Sequence, residues 1–267
     1  TNDVEHGDIF ICFTPDEEIG NGTKYLNYNI FKPDYAYTVD GSSVGEFSYE
    51  NFNAASATIE INGVSTHAGS AKGKMINSVR IATIINSLLP EEVPENTEGH
   101  EGFYHLEEIS GDVSYTKMRY IIRDFDESNL EKRKMLLKEI VNQLNSKYGN
   151  VISLNVRDSY RNMFNIINQD PLVIENTIKA IKKTGVEPII TEIRGGTDGA
   201  DISYMGIKCP NIGTGGHNFH SIYEYVCLED MEKASQILVS IVDTFSKIDS
   251  KTKENEKQNT PVLKKLI

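Results

Sequence analysis

Carboxylate and imidazole side chains gather in three short stretches of this sequence, and their types could support metal-assisted hydrolysis. Asp16, Glu17 and Glu18 follow one short apolar run, Asp40 ends a second run, and the stretch from His217 to His220 supplies two imidazoles. Zinc in proteins accepts Asp, Glu and His ligands, and a catalytic zinc keeps one position open for water. Adjacent residues at a strand end point in opposite directions, so one of the two glutamates could hold a metal while the other holds the attacking water.

The elements that must position these side chains are short strands alternating with helices. The pattern predicts a buried strand over residues 7–15 and a second strand over 34–40, each ending in an acid. Later segments predict a helix over 171–184, a strand over 187–193, a strand over 209–212 and a helix over 228–248. In open α/β sheets, sites form beyond the carboxyl ends of the strands, which would bring the acids together.

Between these parts the sequence predicts a separate domain of different pattern. Strands are expected over 55–62, 102–109, 113–125 and 151–156, with helices over 75–89 and from Ser128 onward. Ser128 and Glu131 form a capping-box pattern, and Gly149 is the expected C-cap. The order strand, helix, strand, strand, helix, strand is that of the split βαβ, ferredoxin-like fold.

Composition excludes several classes of partner. The formal net charge of −12 argues against a nucleic-acid partner, which would need a basic face. No apolar stretch is long enough to span a membrane. The three cysteines, Cys12, Cys209 and Cys227, are too scattered for a disulfide framework, so we expect a reducing, cytoplasmic location.

Six motifs, in family order, resemble the peptidase T family, the tripeptide aminopeptidases among the two-zinc M20 metallopeptidases. The resemblance covers about residues 7 to 247 and lies in these segments: FTPDEEIGNG (13–22), VDG (39–41), NGVSTHAG (62–69), IRDFD (122–126), RGGTDGA (194–200) and TGGHNFH (214–220).

The resemblance implies a role for each matching position. Glu17 matches the general base, and Glu18, Asp40 and His220 match zinc ligands. His67 matches a histidine that stabilises the oxyanion. The implied substrate-binding residues are Arg123, Arg194 and Asn218, and one of the two arginines would grip the substrate carboxylate.

The resemblance also implies the domain organisation. Residues 1–50 and 163–248 would be an α/β zinc-peptidase catalytic domain, and residues 51–162 an inserted ferredoxin-like lid or dimerisation domain. Residues 249–267 lie outside the resemblance, and their lysine-, glutamate- and asparagine-rich composition predicts a charged tail. The family's His-x-Asp motif and bridging aspartate have no counterpart here, so we expect a fragment that lacks the N-terminal part of the catalytic domain and is inactive alone. The whole protein would be a zinc tripeptidase holding two zincs, which takes short peptides and could dimerise through the inserted domain.

Other interpretations stay open at this point. The parent could instead be an N-acyl amino acid deacylase or dipeptidase of the same superfamily, or the chain could be a non-catalytic dimerisation module. His67 could be a structural loop histidine, and Arg123 could form a local salt bridge with Asp124 or Asp126. We expect Asp198 to cap a helix N-terminus.

Overall fold

The structure is a computed structural model that describes residues 4–259, with side chains for residues 4–248. The chain forms two compact units. The first unit comprises Thr1–Tyr49, Met163–Thr191 and Thr197–Ile267, and the inserted unit comprises Glu50–Asn162 and Glu192–Gly196. The short piece 192–196, assigned from sequence to the catalytic domain, groups with the inserted unit, where Asn51 and Ile193 form a parallel β-bridge.

The described residues contain strands and helices with the following bounds. The strands are β1 (Thr38–Gly41), β2 (Glu46–Ser48), β3 (Asn53–Asn62), β4 (Phe103–Gly111), β5 (Tyr115–Asp124), β6 (Ile152–Asp158), β7 (Ile189–Ile190), β8 (Asn211–Gly213), β9 (Gly216–His217) and β10 (Tyr225–Val226). The α-helices are α1 (Ser78–Leu88), α2 (Glu127–Tyr148), α3 (Phe164–Ile167), α4 (Pro171–Lys183), α5 (Asp198–Tyr204) and α6 (Leu228–Asn259). Single 3₁₀ turns span Glu17–Ile19, Ala68–Ser70 and Pro94–Asn96.

The inserted unit has the ferredoxin-like fold predicted from the sequence. Its four strands pair antiparallel in the order β4-β5-β3-β6, and α1 and α2 share one apolar core with them. Alternate residues of β3 enter this core because side chains of a strand alternate between its two faces. The core residues from β3 and α1 are Ala55, Ala57, Ile59, Ile61, Ile81, Ala82 and Ile85.

Helix α2 is capped differently from the prediction. The expected box of Ser128 and Glu131 is wrong, because Asp126 is the N-cap and its carboxylate accepts the backbone N–H of Asn129 at 2.9 Å. A carboxylate is a stronger acceptor than a hydroxyl and also faces the positive end of the helix dipole. The predicted C-cap is confirmed, since Gly149 is left-handed with φ 91°.

The first unit is built on a four-stranded mixed sheet in the order β1-β8-β2-β7. Strands β1 and β8 are parallel, whereas β8 and β2 are antiparallel. Helices α4 and α6 pack on its core, whose buried residues are Phe47, Ala180, Ile181, Ile212, Ile237 and Ile241. Because β1 and β8 run parallel, the chain leaves both strands at the same edge of the sheet.

The predicted strand over residues 7–15 is wrong. This segment has no regular structure before the turn at Pro15, and the side chains of Ile9, Ile11 and Phe13 are exposed. A buried strand needs a neighbour on which to form its ladder. Among residues 4–259, β1 pairs only with β8 and offers no strand to this segment.

Two further elements differ in length from the prediction. The strand expected over 187–193 is reduced to the two residues of β7. Helix α6 was expected to end at Ile248 but continues to Asn259, because residues 249–259 contain neither glycine nor proline. The rest of the predicted charged tail, residues 260–267, lies outside the described residues. No helix in the described part of the chain is both long and apolar enough to cross a membrane.

Candidate active site

Glu17 and Glu18 lie on one tight turn of the first unit. Asp16 enters the turn with a left-handed backbone (φ 66°), Glu17–Ile19 form a single 3₁₀ turn, and Gly20 leaves it at φ 69°. The N–H of Gly20 donates to the carbonyl of Glu17 at 2.7 Å. This short turn displays the two glutamates side by side, with Glu17 half-buried and Glu18 exposed.

Asp40 lies in β1, at the point where the pairing with β8 shifts register between Val39 and Gly41. The backbones of Gly41 and Gly213 approach so closely here that a Cβ on Gly41 would lie 3.0 Å from the Cα of Gly213. The N–H of Thr214 donates to the carbonyl of Gly41 at 2.9 Å. The loop that follows β8 therefore begins directly beside Asp40.

That loop is a hairpin, which the sequence pattern did not indicate. Strands β9 and β10 pair antiparallel, and His220 lies between them in a left-handed conformation with φ 61°. Its backbone N–H donates to Glu224 at 3.1 Å, and its Nε2 lies 2.9 Å from Oε2 of Glu18. Asn218, also left-handed, donates its side-chain amide to the carbonyl of Tyr223 at 3.3 Å, which holds the hairpin in shape.

Burial and neighbouring carboxylates raise the pKa of Glu17 and of Asp40. Loss of hydration, followed by the charges of Asp40 and Asp198, raises the pKa of Glu17 from 4.5 to about 7, and His220 partly opposes this effect. Loss of hydration and the charge of Glu18 also raise the pKa of Asp40. A carboxyl group with a pKa near neutrality can accept and return a proton at physiological pH.

Asp198 is the site residue that sequence reasoning missed. The expectation that it caps a helix is wrong, because Thr197 is the N-cap of α5 and accepts the N–H of Gly199 at 3.3 Å. Asp198 is instead buried, with 6% of its surface exposed, and its Oδ2 has no hydrogen-bond partner. The RGGTDGA motif offered a signal for this, because Thr197 directly precedes Asp198 and can itself cap the N-terminus of the helix. Asp198 is then not needed as a cap.

His67 belongs to the inserted unit, where it precedes the 3₁₀ turn Ala68–Ser70. Its Nδ1 accepts the backbone N–H of Gly69 at 3.2 Å. A neutral imidazole that accepts at Nδ1 carries its proton on Nε2. The exposed ring of His67 therefore presents an N–H donor to its surroundings.

The two candidate arginines also lie in the inserted unit, in different states. The guanidinium of Arg194 donates hydrogen bonds to the carbonyl of Glu101 at 3.2 Å, to the hydroxyl of Thr97 at 3.1 Å and to the carbonyl of Gly99. Arg123 donates to the carbonyl of Arg194 at 2.8 Å, while its Nε is buried without a partner.

The local salt bridge considered for Arg123 is wrong. Asp124 pairs with Arg133 at 2.8 Å, and Asp126 caps α2. No carboxylate in the described part of the chain forms an ion pair with Arg123. Its guanidinium instead lies over the ring of Phe103, 5.7 Å from the centroid, and over that of Tyr160 at 5.8 Å.

Two comparisons with known proteins agree with each other. Residues 49–151 match the family model M20_dimer, the peptidase dimerisation domain. The chain is 49% identical over 247 residues, 92% of its length, to peptidase T from Caldanaerobacter subterraneus subsp. tengcongensis. The chain is thus similar to peptidase T over most of its own length. It spans about 60% of the length of the curated relatives that it matches.

Two solved structures share the fold of this chain. The aminopeptidase PepT from Bacillus cereus superimposes with a TM-score of 0.80 at 23% identity, and the match covers 90% of this chain and 65% of that one. The YXEP protein from Bacillus subtilis, described as a dinuclear metal-binding peptidase of the M20 family, gives a TM-score of 0.65 at 15% identity, covering 88% of this chain and 64% of that one. The α/β architecture with its ferredoxin-like insertion is thus confirmed.

The donor set of this site fits a metal in the type of its side chains but not in their number. Glu18 and His220 are in contact, and Asp40 lies within electrostatic reach of both. The clustered carboxylates are negative charge that a cation would compensate. No group of three or more His, Cys, Asp or Glu side chains arranged to hold a metal occurs within residues 4–248. A catalytic zinc normally has three protein ligands, so these residues supply only part of a coordination shell.

Proposed function

We propose that the whole protein containing this chain is a metallo-aminopeptidase that releases the N-terminal residue of tripeptides. One observation carries this proposal: Glu18 and His220 meet at 2.9 Å beside Glu17, a carboxyl group whose pKa is raised to about 7. Donors for a cation and a proton acceptor are thereby adjacent. The similarity to peptidase T over 92% of the chain supports the tripeptide substrate.

In this proposal Glu18, Asp40 and His220 are ligands of two zincs, and the remaining ligands come from outside these residues. Bound zinc would polarise the peptide carbonyl and make water more acidic. Glu17 would take a proton from the attacking water and pass it to the leaving amine nitrogen, acting first as general base and then as general acid. The Nε2–H of His67 would donate to the oxyanion that forms on the carbonyl, an interaction often worth about 3 kcal/mol.

For the substrate carboxylate we favour Arg123 over Arg194. The guanidinium of Arg194 is already committed to carbonyl and hydroxyl oxygens around residues 97–101. Arg123 retains a positive charge with no acid beside it and a buried Nε without an acceptor. A guanidinium in that state gains most from a carboxylate that it can bind in bidentate fashion. Asn218 remains a proposed substrate contact.

A second activity of the same protein would be self-association through the inserted unit, as the match to a peptidase dimerisation domain suggests. The four-stranded sheet ends in β4 and β6, whose outer edges have no partner strand within residues 4–259. Exposed edges can pair with a second copy of the same sheet. Light scattering coupled to size exclusion would give twice the chain mass for such a homodimer and the single mass otherwise.

The full-length gene product, loaded with zinc, tests the activity directly. We expect it to hydrolyse tripeptides and to leave N-acyl amino acids and dipeptides largely intact. Hydrolysis of N-acyl amino acids in place of tripeptides would reassign the protein to a deacylase. Intact tripeptides in the presence of bound zinc would reject the aminopeptidase proposal.

A further inference from the structure

Helix α5 contacts both ends of the loop that carries the two glutamates. We call residues 14–23 the glutamate loop. At its start the side chain of Thr14 lies near the carboxylate of Asp198 and partly offsets the rise in the pKa of that group that burial causes. At its end the hydroxyl of Thr23 donates to Oδ2 of Asp201 at 3.2 Å. Asp198 and Asp201 are three residues apart on α5 and thus share one side of the helix.

Asp198 also packs directly against the backbone of the glutamate loop. A Cβ built on Gly22 would lie 2.2 Å from Oδ2 and 2.5 Å from Oδ1 of Asp198. Only glycine allows the loop to approach this closely. The side chain of Asp198 is 94% buried by the surrounding protein, with 6% exposed, and Oδ2 makes no hydrogen bond. A buried carboxylate oxygen without a hydrogen bond is energetically unfavourable, so its presence here calls for an explanation.

The helix itself is fixed firmly to the sheet that presents Asp40. The hydroxyl of Ser203 accepts the backbone N–H of Cys209 at 3.0 Å, just before β8. Gly199 lies so near this segment that a Cβ there would be 2.5 Å from the carbonyl of Cys209. The glutamate loop, in contrast, holds only one 3₁₀ turn and has exposed side chains on both sides of it.

We propose that Asp198 is a positioning residue: together with Asp201 it ties the glutamate loop to α5 and so holds Glu17 and Glu18 beside Asp40 and His220. This inference rests on the proposed function, because it assigns a purpose to the orientation of those glutamates. Asp198 acts through the loop, from a buried position behind it. The same contact explains why Gly22 cannot carry a side chain.

The rate at which trypsin cleaves after Lys24 measures how often the glutamate loop opens. Lys24 is the only site for trypsin in the first 71 residues, because the other lysine, Lys32, precedes a proline. In the native chain, Asp198→Ala should accelerate cleavage after Lys24 by at least about tenfold, since the loop opens more often. Cleavage after Lys183 in α4 reports on global opening of the first unit, and cleavage after Lys72 reports on the inserted unit; both should keep their wild-type rates.

Two milder variants protect the test against a simple loss of folding. Asp198→Asn keeps the size and polarity of the side chain behind the loop and should return the cleavage rate at Lys24 to within about threefold of wild type. Thr14→Val removes the hydroxyl near Asp198 from the loop side and should open the loop without touching α5. The proposal is overturned if neither Asp198→Ala nor Thr14→Val accelerates cleavage at Lys24, or if Lys183 becomes equally sensitive in both.

Kinetics of the full-length enzyme separate positioning from a structural role. Asp198→Ala should lower kcat for a tripeptide by about ten- to a hundredfold, leave KM within about twofold and be rescued by Asp198→Asn. A rise in KM with unchanged kcat would contradict positioning. If the full-length protein hydrolyses no tripeptide, the proposed function fails, whereas the cleavage result at Lys24 still decides whether Asp198 holds the loop.

Discussion

Nε2 of His220 and Oε2 of Glu18 lie 2.9 Å apart, although the two residues stand near opposite ends of the first unit's sequence. Both side chains are about three-quarters exposed, at 76% and 73%. An ion pair this exposed contributes little to stability. We therefore interpret the contact as a pair of candidate metal donors. The turn at Glu17–Ile19 and the hairpin β9–β10 bring the two side chains together.

Replacing Glu17 with Gln should abolish turnover while preserving metal content. The amide cannot accept a proton, and loss of a general base typically costs about 10² to 10⁴ in rate. The measurement is kcat for a tripeptide together with bound zinc, both in the full-length enzyme. The matched control is Glu18→Gln, which should lose metal as well as activity. Persistent turnover in Glu17→Gln would show that another group is the base.

The 267-residue chain alone should bind zinc weakly. Within residues 4–248, no three metal-binding side chains converge, and Glu18 with His220 supplies only two donors. Equilibrium dialysis of the chain should give no zinc that survives exchange against buffer, and His220→Ala should weaken the residual binding further. Two tightly held zincs per chain would contradict this expectation.

The stability of the metal-free chain should depend on the titration of Glu17. Because the folded pKa is raised from 4.5 to about 7, the folded state binds this proton more tightly than the unfolded state. Stability therefore falls as pH rises from about 4.5 through about 7, by roughly 1 to 2 kcal/mol after allowance for partial exposure. Urea unfolding with a chelator present should show this loss in the wild type and a smaller one in Glu17→Gln. Equal pH slopes would argue against the raised pKa.

The ion pair between Arg133 and Asp124 should be essential to the inserted unit. Both side chains are largely buried, with 14% and 6% exposed, and the two groups lie 2.8 Å apart. Arg133→Met leaves a buried carboxylate unpaired, so we expect a loss of about 3 to 5 kcal/mol in the free energy of unfolding. Arg119→Met is the control, because Arg119 pairs with Glu107 at the surface and should cost less than about 1 kcal/mol. Similar losses in the two variants would refute the distinction.

The sequence was most informative where periodic burial governs structure. In the inserted unit, the alternation along β3 and the stripe of α1 follow the predicted pattern, and the sheet order is the ferredoxin-like one. The same reasoning failed at residues 7–15, whose apolar residues look like a buried strand but have no partner strand among the described residues. An apolar run shows that burial is favourable; it does not show that a neighbour is present.

At the candidate site the sequence by itself determined which side chains are candidates for the chemistry, because Glu17, Glu18, Asp40 and His220 were recognisable from residue type and motif. Only the tertiary structure decided how they meet. The contact of His220 with Glu18 and the packing of Asp198 against Gly22 both join segments that are far apart in the sequence. The local sequence sets which backbone conformations are low in free energy, whereas the close packing of separate segments decides which of them is adopted.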